Sequence, residues 1–353
     1  MDEAESQGSD RPEVSALSAT GRPGVDVVAI GASAGGVTAL RELISGLPPD
    51  IPVALLVVLH MSPAGTSVLA DILRRSSDMR VVAAVDGMEL ERGCVVVARP
   101  DHHLVLEGTT VRLTRTAKVN GHRPAIDPTF ESATRTFDGR VLGILLSGTL
   151  DDGVAGLAGI REDGGITAVQ QPAEAAYPGM PRAAIEAGVV DEVLTVDGLV
   201  RLVKDTAAGD GPLVPVAVAP PVQGSQGTVA SARGALITIT CPNCGGNLWE
   251  RQAGGVMQYE CRVGHRYSPG ALFSVHSDAL DDALWAAHRA LLERSDLVGR
   301  MAERMRGSDR AVMALRYDRM REEAERRAGI LHEALMMARD VEAISEQADG
   351  APV

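Results

Sequence analysis

The chain has 353 residues and a net charge of -13, with 45% hydrophobic and only 3% aromatic residues. That length allows one sizeable core with smaller units beside it, built from Val, Leu, Ile, Ala and Met. The acidic balance argues against binding nucleic acid through its phosphates, and no apolar run nears the roughly 20 residues of a membrane helix.

Residues 1–24 are polar and acidic and lack the basic start and apolar stretch of a secretion signal. They read as a disordered leader on a cytoplasmic protein. Residues 25–204 alternate apolar strands such as "VDVVAIGA", "PVALLVVLH" and "VLGILLSG" with helical patterns such as "GVTALRELISGL" and "DGVAGLAGIRED". Apolar strands separated by helices of this length predict a doubly wound, mostly parallel α/β sheet covered on both faces. Between 80 and 117 several short strands follow one another without helices, which predicts hairpins at one edge. Residues 205–233 are rich in Pro, Gly and Ala and read as a linker. Residues 234–273 hold a Cys/His cluster, 274–345 are helical with a break at Gly307–Ser308–Asp309, and 346–353 form a tail.

The first strand runs into Gly31-Ala32-Ser33-Ala34-Gly35-Gly36. No Lys follows, so the turn is not a Walker loop, and Ser33 stands where a dinucleotide fingerprint needs its second glycine. It does satisfy G-x-S-x-G, in which small neighbours let the chain bend sharply and expose a serine beside the first amides of a helix. His60 closes the next strand, and Asp151 and Asp152 follow "VLGILLSGTL". In a parallel sheet the carboxyl ends of the strands share one edge, so serine, imidazole and carboxylate are expected on one rim. A serine needs a base, and the base needs a carboxylate to fix its tautomer. Spacing leaves Asp151 and Asp152 both open, and His102, His103 and His122 are rival bases. His102 and His103 follow Pro100-Asp101 and read as surface or rim residues.

At these residues the sequence resembles the catalytic domain of CheB-like chemoreceptor protein-glutamate methylesterases. The resemblance covers about residues 25–200 through "IGASAGG", "VVLHM", "VDGMELERGCVVVARPDHHL", "HRPAIDPTFES", "GILLSGTLDDGVAGL" and "GMPRAAIEAG". It implies Ser33 as nucleophile, His60 as base and Asp152, next to Gly153, as the orienting acid. It implies backbone amides of Ala34, Gly35 and Thr149 as the oxyanion site. Thr149 stands where the family often has Met, and Ala34 where it often has Thr. The implied reaction is hydrolysis of γ-glutamyl methyl esters on the helical signalling region of chemoreceptors, in chemotaxis adaptation, with glutamine deamidation in some members. A chemoreceptor methyltransferase is an implied partner. A phosphoacceptor receiver domain needs on the order of 120 residues, and about 25 precede the first strand. The expectation is a stand-alone methylesterase without phosphorelay control in cis.

Cys241 and Cys244 form C-x-x-C, and Cys261 and His265 form C-x-x-x-H after a gap of about sixteen residues. Three thiolates and one imidazole predict a closed, structural zinc site in a zinc ribbon, with Trp249 and Tyr267 packed around it. No cofactor is expected for catalysis. Arg251, Arg262 and Arg266 are too few to make the ribbon a nucleic-acid module. Cys94 is alone in an apolar stretch. Leu280, Leu284, Ala287, Leu291, Val298, Met301 and Met305 recur at helical spacing, as do Met313, Tyr317, Met320, Ala324, Leu331 and Ala338. They predict an antiparallel helical hairpin or half of a homodimeric bundle. The readings competing with the hydrolase are a non-catalytic signalling adaptor on the same fold, a small-molecule esterase and a nucleotide-binding protein.

Overall fold

The computed structural model describes residues 24–349 apart from 64, 66–67, 208, 210, 217–233, 254 and 309. The expected leader, most of the linker and the end of the tail lie outside the described residues. Two compact units emerge, one ending at Leu272 and the other beginning at Phe273.

The first unit opens with β1 (Val27–Ala32), α1 (Gly36–Ser45), β2 (Ala54–Leu59), α2 (Leu69–Ser76), β3 (Arg80–Ala83) and β4 (Cys94–Val97). It continues with β5 (His103–Glu107), β6 (Thr110–Thr114), α3 (Ile126–Phe137), β7 (Val141–Leu145), α4 (Val154–Glu162), β8 (Ile166–Gln170), α5 (Gly179–Glu186), β9 (Glu192–Leu194) and α6 (Val196–Thr206). Seven strands form one sheet in the order β3-β4-β2-β1-β7-β8-β9. Each neighbouring pair is parallel. The doubly wound expectation holds. The stretch read as edge hairpins divides differently. β3 and β4 join the parallel sheet, and β5 with β6 make a separate antiparallel pair.

The central strands are apolar throughout because the sheet is buried on both faces. Their side chains alternate between two cores. Val28, Ile30, Leu55, Val57, Leu142 and Ile144 pack with Leu40, Leu43, Leu199 and Val203 from α1 and α6. Val27, Ala29, Leu56, Val58, Val141 and Leu145 pack with Phe130, Phe137, Leu157, Ile160 and Met180 from α3, α4 and α5. β1 lies between β2 and β7, so the chain reverses its winding direction beside β1. Ligands in open α/β sheets bind at such a reversal, outside the carboxyl ends of the strands.

The ribbon follows as β10 (Ala235–Thr240), β11 (Asn247–Ala253), β12 (Val256–Cys261) and β13 (Arg266–Tyr267), an antiparallel sheet in that order. Then come α7 (Pro269–Arg306) and α8 (Ala311–Asp349). Ser268 caps α7, its Oγ accepting from Ala271 N–H at 3.0 Å, with Pro269 at the first helical position.

Beyond Leu272, α7 and α8 form an antiparallel hairpin. Arg306 pairs with Asp318, Ser295 Oγ donates to Glu325 at 2.9 Å, and the Trp285 ring meets His332 edge-on. The seam is narrow: Ser295, Val298, Ala302, Ala314, Ala324, Ala328 and Leu335 are buried. Leu280, expected on the buried stripe, is 60% exposed, and Met301 is 36% exposed. Small residues occupy the seam because they let the helix axes approach, and the larger apolar residues are left outside it.

Candidate active site and metal centre

Ser33 leaves β1 at the start of a tight turn whose last residue, Gly35, is left-handed at φ 71°. A Cβ at Gly35 would come to 2.8 Å from both Ala176 Cβ and Ser147 Oγ, so glycine meets a steric need as well as a conformational one. Ser147, two residues past β7, buckles this turn to the neighbouring strand. Its carbonyl accepts from Ser33 N–H at 2.9 Å, and its Oγ donates to Ala34 carbonyl at 2.7 Å. Gly148 passes beneath the serine, where a Cβ would meet Ser33 Cβ at 2.9 Å.

His60 follows β2, and its N–H is held by Ala32 carbonyl at 3.1 Å. Its Nδ1 lies 3.1 Å from Ser33 Oγ, and its Nε2 lies 2.7 Å from Asp152 Oδ2. A carboxylate only accepts, so Nε2 carries the proton and donates it. Nδ1 is then left as the acceptor facing the serine hydroxyl. The imidazole and carboxylate side chains are 6% and 3% exposed, which strengthens each contact.

Asp152 is held from several sides. Ile126 N–H at the start of α3 donates to Oδ2 at 2.6 Å, and Asn120 Nδ2 donates to Oδ1 at 2.8 Å. Burial alone would raise this carboxyl. The hydrogen bond and charge of His60, with the Ile126 and Asn120 donors, hold it well below the usual carboxylate range. Asp127 lies on the far side of Asn120, whose Nδ2 also donates to it at 3.1 Å. Burial, then the charge of Asp152, push the Asp127 carboxyl well up.

The structure separates the rivals. Asp151 turns to the ribbon, where Ser268 Oγ donates to it. His102 Nδ1 is 2.9 Å from Pro100 carbonyl. His103, expected at the surface, is fully buried, because it bridges two segments. Its Nδ1 accepts from Ala125 N–H at 3.2 Å and its Nε2 donates to Ala117 carbonyl at 3.1 Å. His122 stacks on His60 with ring centroids 3.8 Å apart. Burial, then the charge of His60, push its pKa down to about 4, so it stays a neutral plate against the His60 ring.

Sequence reasoning did not single out Asn120, Asp127 or Ser147. Asn120 sits in an Asn-Gly pair that reads as a turn. It does adopt the left-handed φ of 51° such a turn needs, while its side chain is 96% enclosed and faces two carboxylates.

In the ribbon, Cys241, Cys244, Cys261 and His265 bring their ligand atoms within 4.8 Å of one another. Cys244 Sγ and Cys261 Sγ are 3.7 Å apart, and His265 Nδ1 lies 3.4 and 3.6 Å from Cys261 and Cys241 Sγ. Zinc with Zn–S near 2.3 Å and Zn–N near 2.0 Å gives tetrahedral edges of about 3.7 and 3.5 Å. The donor set therefore fits that ion. Tyr267 is buried with its hydroxyl 3.6 Å from Cys241 Sγ.

A doubly wound sheet with a serine, a histidine and an aspartate in line at its carboxyl edge has the arrangement of the serine hydrolase class. Comparison with known proteins narrows the class. Residues 28–203 match the model of the CheB methylesterase family. A relative from Leptospira interrogans, called a putative protein-glutamate methylesterase/protein-glutamine glutaminase, is 34% identical over 178 residues, or 50% of this chain and 92% of that protein. The chain belongs to the CheB methylesterase family. Protein-glutamate methylesterase/protein-glutamine glutaminase 2 of Anaeromyxobacter dehalogenans is 42% identical over 51% of this chain and 53% of its own length. The chain thus spans about half the length of several curated relatives it matches. The crystal structure of the Thermotoga maritima CheB methylesterase catalytic domain is 32% identical, covering 51% of this chain and 97% of that one with a TM-score of 0.49. The ribbon and the hairpin lie outside the matched residues. Among the described residues no helix is long and apolar enough to cross a membrane.

Proposed function

We propose that this chain demethylates glutamate methyl esters on chemoreceptors through Ser33, His60 and Asp152. One observation carries the reading: a single imidazole spans Ser33 Oγ at 3.1 Å and Asp152 Oδ2 at 2.7 Å in the only tautomer that leaves a base facing the serine. His60 Nδ1 takes the hydroxyl proton as Ser33 attacks the ester carbonyl. Asp152 holds the ring and balances the imidazolium. The amides of Ala34 and Gly35 at the head of α1, with that of Thr149 in the loop past Gly148, hold the oxyanion. His60 then protonates departing methoxide, and water attacks the acyl-enzyme to release the glutamate. The same cycle with ammonia leaving deamidates glutamine, as the names of the relatives suggest for those proteins.

The substrate is the helical signalling region of a methylated receptor in the cytoplasm, with its methyltransferase as a functional partner. The ribbon holds one structural zinc through Cys241, Cys244, Cys261 and His265, which supplies folding energy where the ribbon's own core is thin. The adaptor reading predicts no turnover at all. Methanol release from methylated receptor tests the proposal. Wild type releases methanol, and Ser33→Ala falls to background. Equal release from both proteins removes Ser33 from the chemistry, and none from wild type favours the adaptor.

A further inference from the structure

We infer that the metal-binding ribbon is a positioning module for the reaction centre: the strap after its last ligand, Arg266–Ala271, fixes Asn120 and through it Asp152. The inference deepens the methylesterase reading and rests on it.

The strap begins one residue past His265. Arg266 carbonyl accepts from Asn120 N–H at 2.8 Å, and Arg266 pairs with Val119 as a parallel bridge. The Arg266 guanidinium forks onto Glu131 at 2.6 and 3.1 Å. Glu131 lies on α3, the helix whose first turn donates to Asp152. Two residues on, Ser268 N–H donates to Asn120 Oδ1 at 2.8 Å, and Ser268 Oγ donates to Asp151. None of these ribbon groups is within hydrogen-bonding reach of Ser33 or His60 in the contacts the structure makes, so the strap acts through Asn120 and the aspartates.

The decisive contact is the one to Asn120 Oδ1. A carboxamide presents an acceptor on one side and two donors on the other. Because Ser268 N–H occupies the acceptor side, Nδ2 must face Asp152 and Asp127. Without the strap Asn120 Oδ1 loses its donor, and nothing on that side holds the side chain in place. If the amide swings away, Asp152 loses a donor it cannot replace from water. The carboxylate that orients His60 is thus aligned by a backbone amide of the ribbon.

The ribbon cannot hold that strap in register unaided. Among its described residues Leu248 and Tyr267 are its large, fully enclosed side chains, and most of β10 is exposed. Four metal ligands, the last adjacent to the strap, supply the missing constraint. Ligand loss at the ribbon is therefore transmitted to Asp152 over a path of two hydrogen bonds.

The test uses the full chain loaded with zinc, the same protein after chelation, and the variants Cys244→Ser, Arg266→Gln and Asn120→Ala. Three readouts are taken: kcat and KM for methanol release, the rate at which a fluorophosphonate labels Ser33, and the thermal transition of the α/β unit. Chelation and Cys244→Ser are expected to lower kcat and labelling on the order of 10- to 100-fold, with KM within about twofold, and zinc restores the chelated protein. Arg266→Gln stays zinc-loaded yet is slowed, which separates the strap from the metal itself. Asn120→Ala is slow with zinc bound and is slowed no further by chelation, since the shared path is already cut. Chelated wild type that keeps its kcat overturns the inference. So does a loss of activity that only tracks unfolding of the α/β unit, or additive effects of chelation and Asn120→Ala. Zinc-loaded wild type that is labelled at Ser33 but releases no methanol fails the substrate reading instead, and the labelling rate still decides the coupling.

Discussion

At the scale of single residues, the arrangement assigns each ring nitrogen of His60 one duty. Asp152→Asn removes the charge that balances the His60 imidazolium and turns one of two filled acceptor positions, Oδ2 toward Nε2 and Ile126 N–H or Oδ1 toward Asn120, into a donor. Either way one donor opposes another, and the ring loses the ionised partner that fixes its tautomer. Methanol release is expected to fall on the order of 10⁴-fold in kcat with the fold and the zinc content unchanged. His122 supports a different prediction. Its folded pKa of about 4 lies below the ordinary histidine value near 6.5, so the unfolded chain binds the proton first as pH falls. The stabilising contribution is full above about pH 6.5 and is lost progressively down to about pH 4. His122→Phe keeps the stacked plate and removes the proton. Urea denaturation at pH 7 and pH 4.5 should show wild type losing on the order of 1–3 kcal/mol more than the variant. Equal losses would mean that the ring is not held neutral. That Ser33, His60 and the Asp151–Asp152 pair share one rim was legible because a parallel sheet brings its strand ends to one edge, whereas the choice of Asp152 over Asp151 came only from the family resemblance. Asn120 and Asp127 were not, because their work depends on long-range packing: Asn120 meets Asp152 across 32 residues and Ser268 across 148.

At the scale of elements, the reaction centre depends on how closely α3 approaches β1. Ile126, the first residue of α3, sits against two glycines. A Cβ at Gly31 would come to 2.4 Å from Ile126 Cγ2, and one at Gly153 to 2.9 Å from the same atom. Their bareness lets the Ile126 amide reach Asp152. Gly31→Ala is expected to push α3 outward, lowering stability by about 1–3 kcal/mol and kcat by about tenfold or more. Adding Ile126→Ala should return much of the lost kcat by making room for the new methyl group. A double variant no better than the single one would show that the spacing of α3 does not matter to the carboxylate. The strand–helix alternation that builds this frame was readable, since apolar runs of five or six residues separated by helices leave few other topologies. The edge was misread because β3 and β4 pair in parallel across a helix-free connection, a crossover whose polar turn signals look like those of a hairpin. His103 was misplaced for a related reason: its segment resembles a surface turn, and only the return of residues 117 and 125 encloses it.

At the scale of the whole molecule, the chain joins a family domain to two additions that lie outside the residues the family model matches. The hairpin addition has an unbalanced distribution of apolar side chains. Its buried seam is largely alanine, whereas Val312, Leu315 and Ile330 are 81%, 60% and 61% exposed. Leu291, Arg294 and Arg327 line two adjoining grooves, one reaching Val312 and Leu315 and the other Ile330. Helical spacing identified an apolar pattern here but not which part of it is sealed, because the pattern is wide enough for two faces and two helices can enclose only one. A second copy of the hairpin offers the same grooves, in the first of which Glu323 lies among Arg294, Arg316, Arg319 and Arg327, and pairing two copies would complete a four-helix bundle. Light scattering of the full chain is expected to give twice the 36.9 kDa chain mass. Leu315→Glu combined with Ile330→Glu places a charge in each groove and should return the mass of one chain. Because Ser33, His60 and Asp152 all come from the other unit, labelling of Ser33 should proceed at the wild-type rate in this variant. A wild-type chain that scatters as a single copy at tens of micromolar would show that the grooves are not where two chains meet.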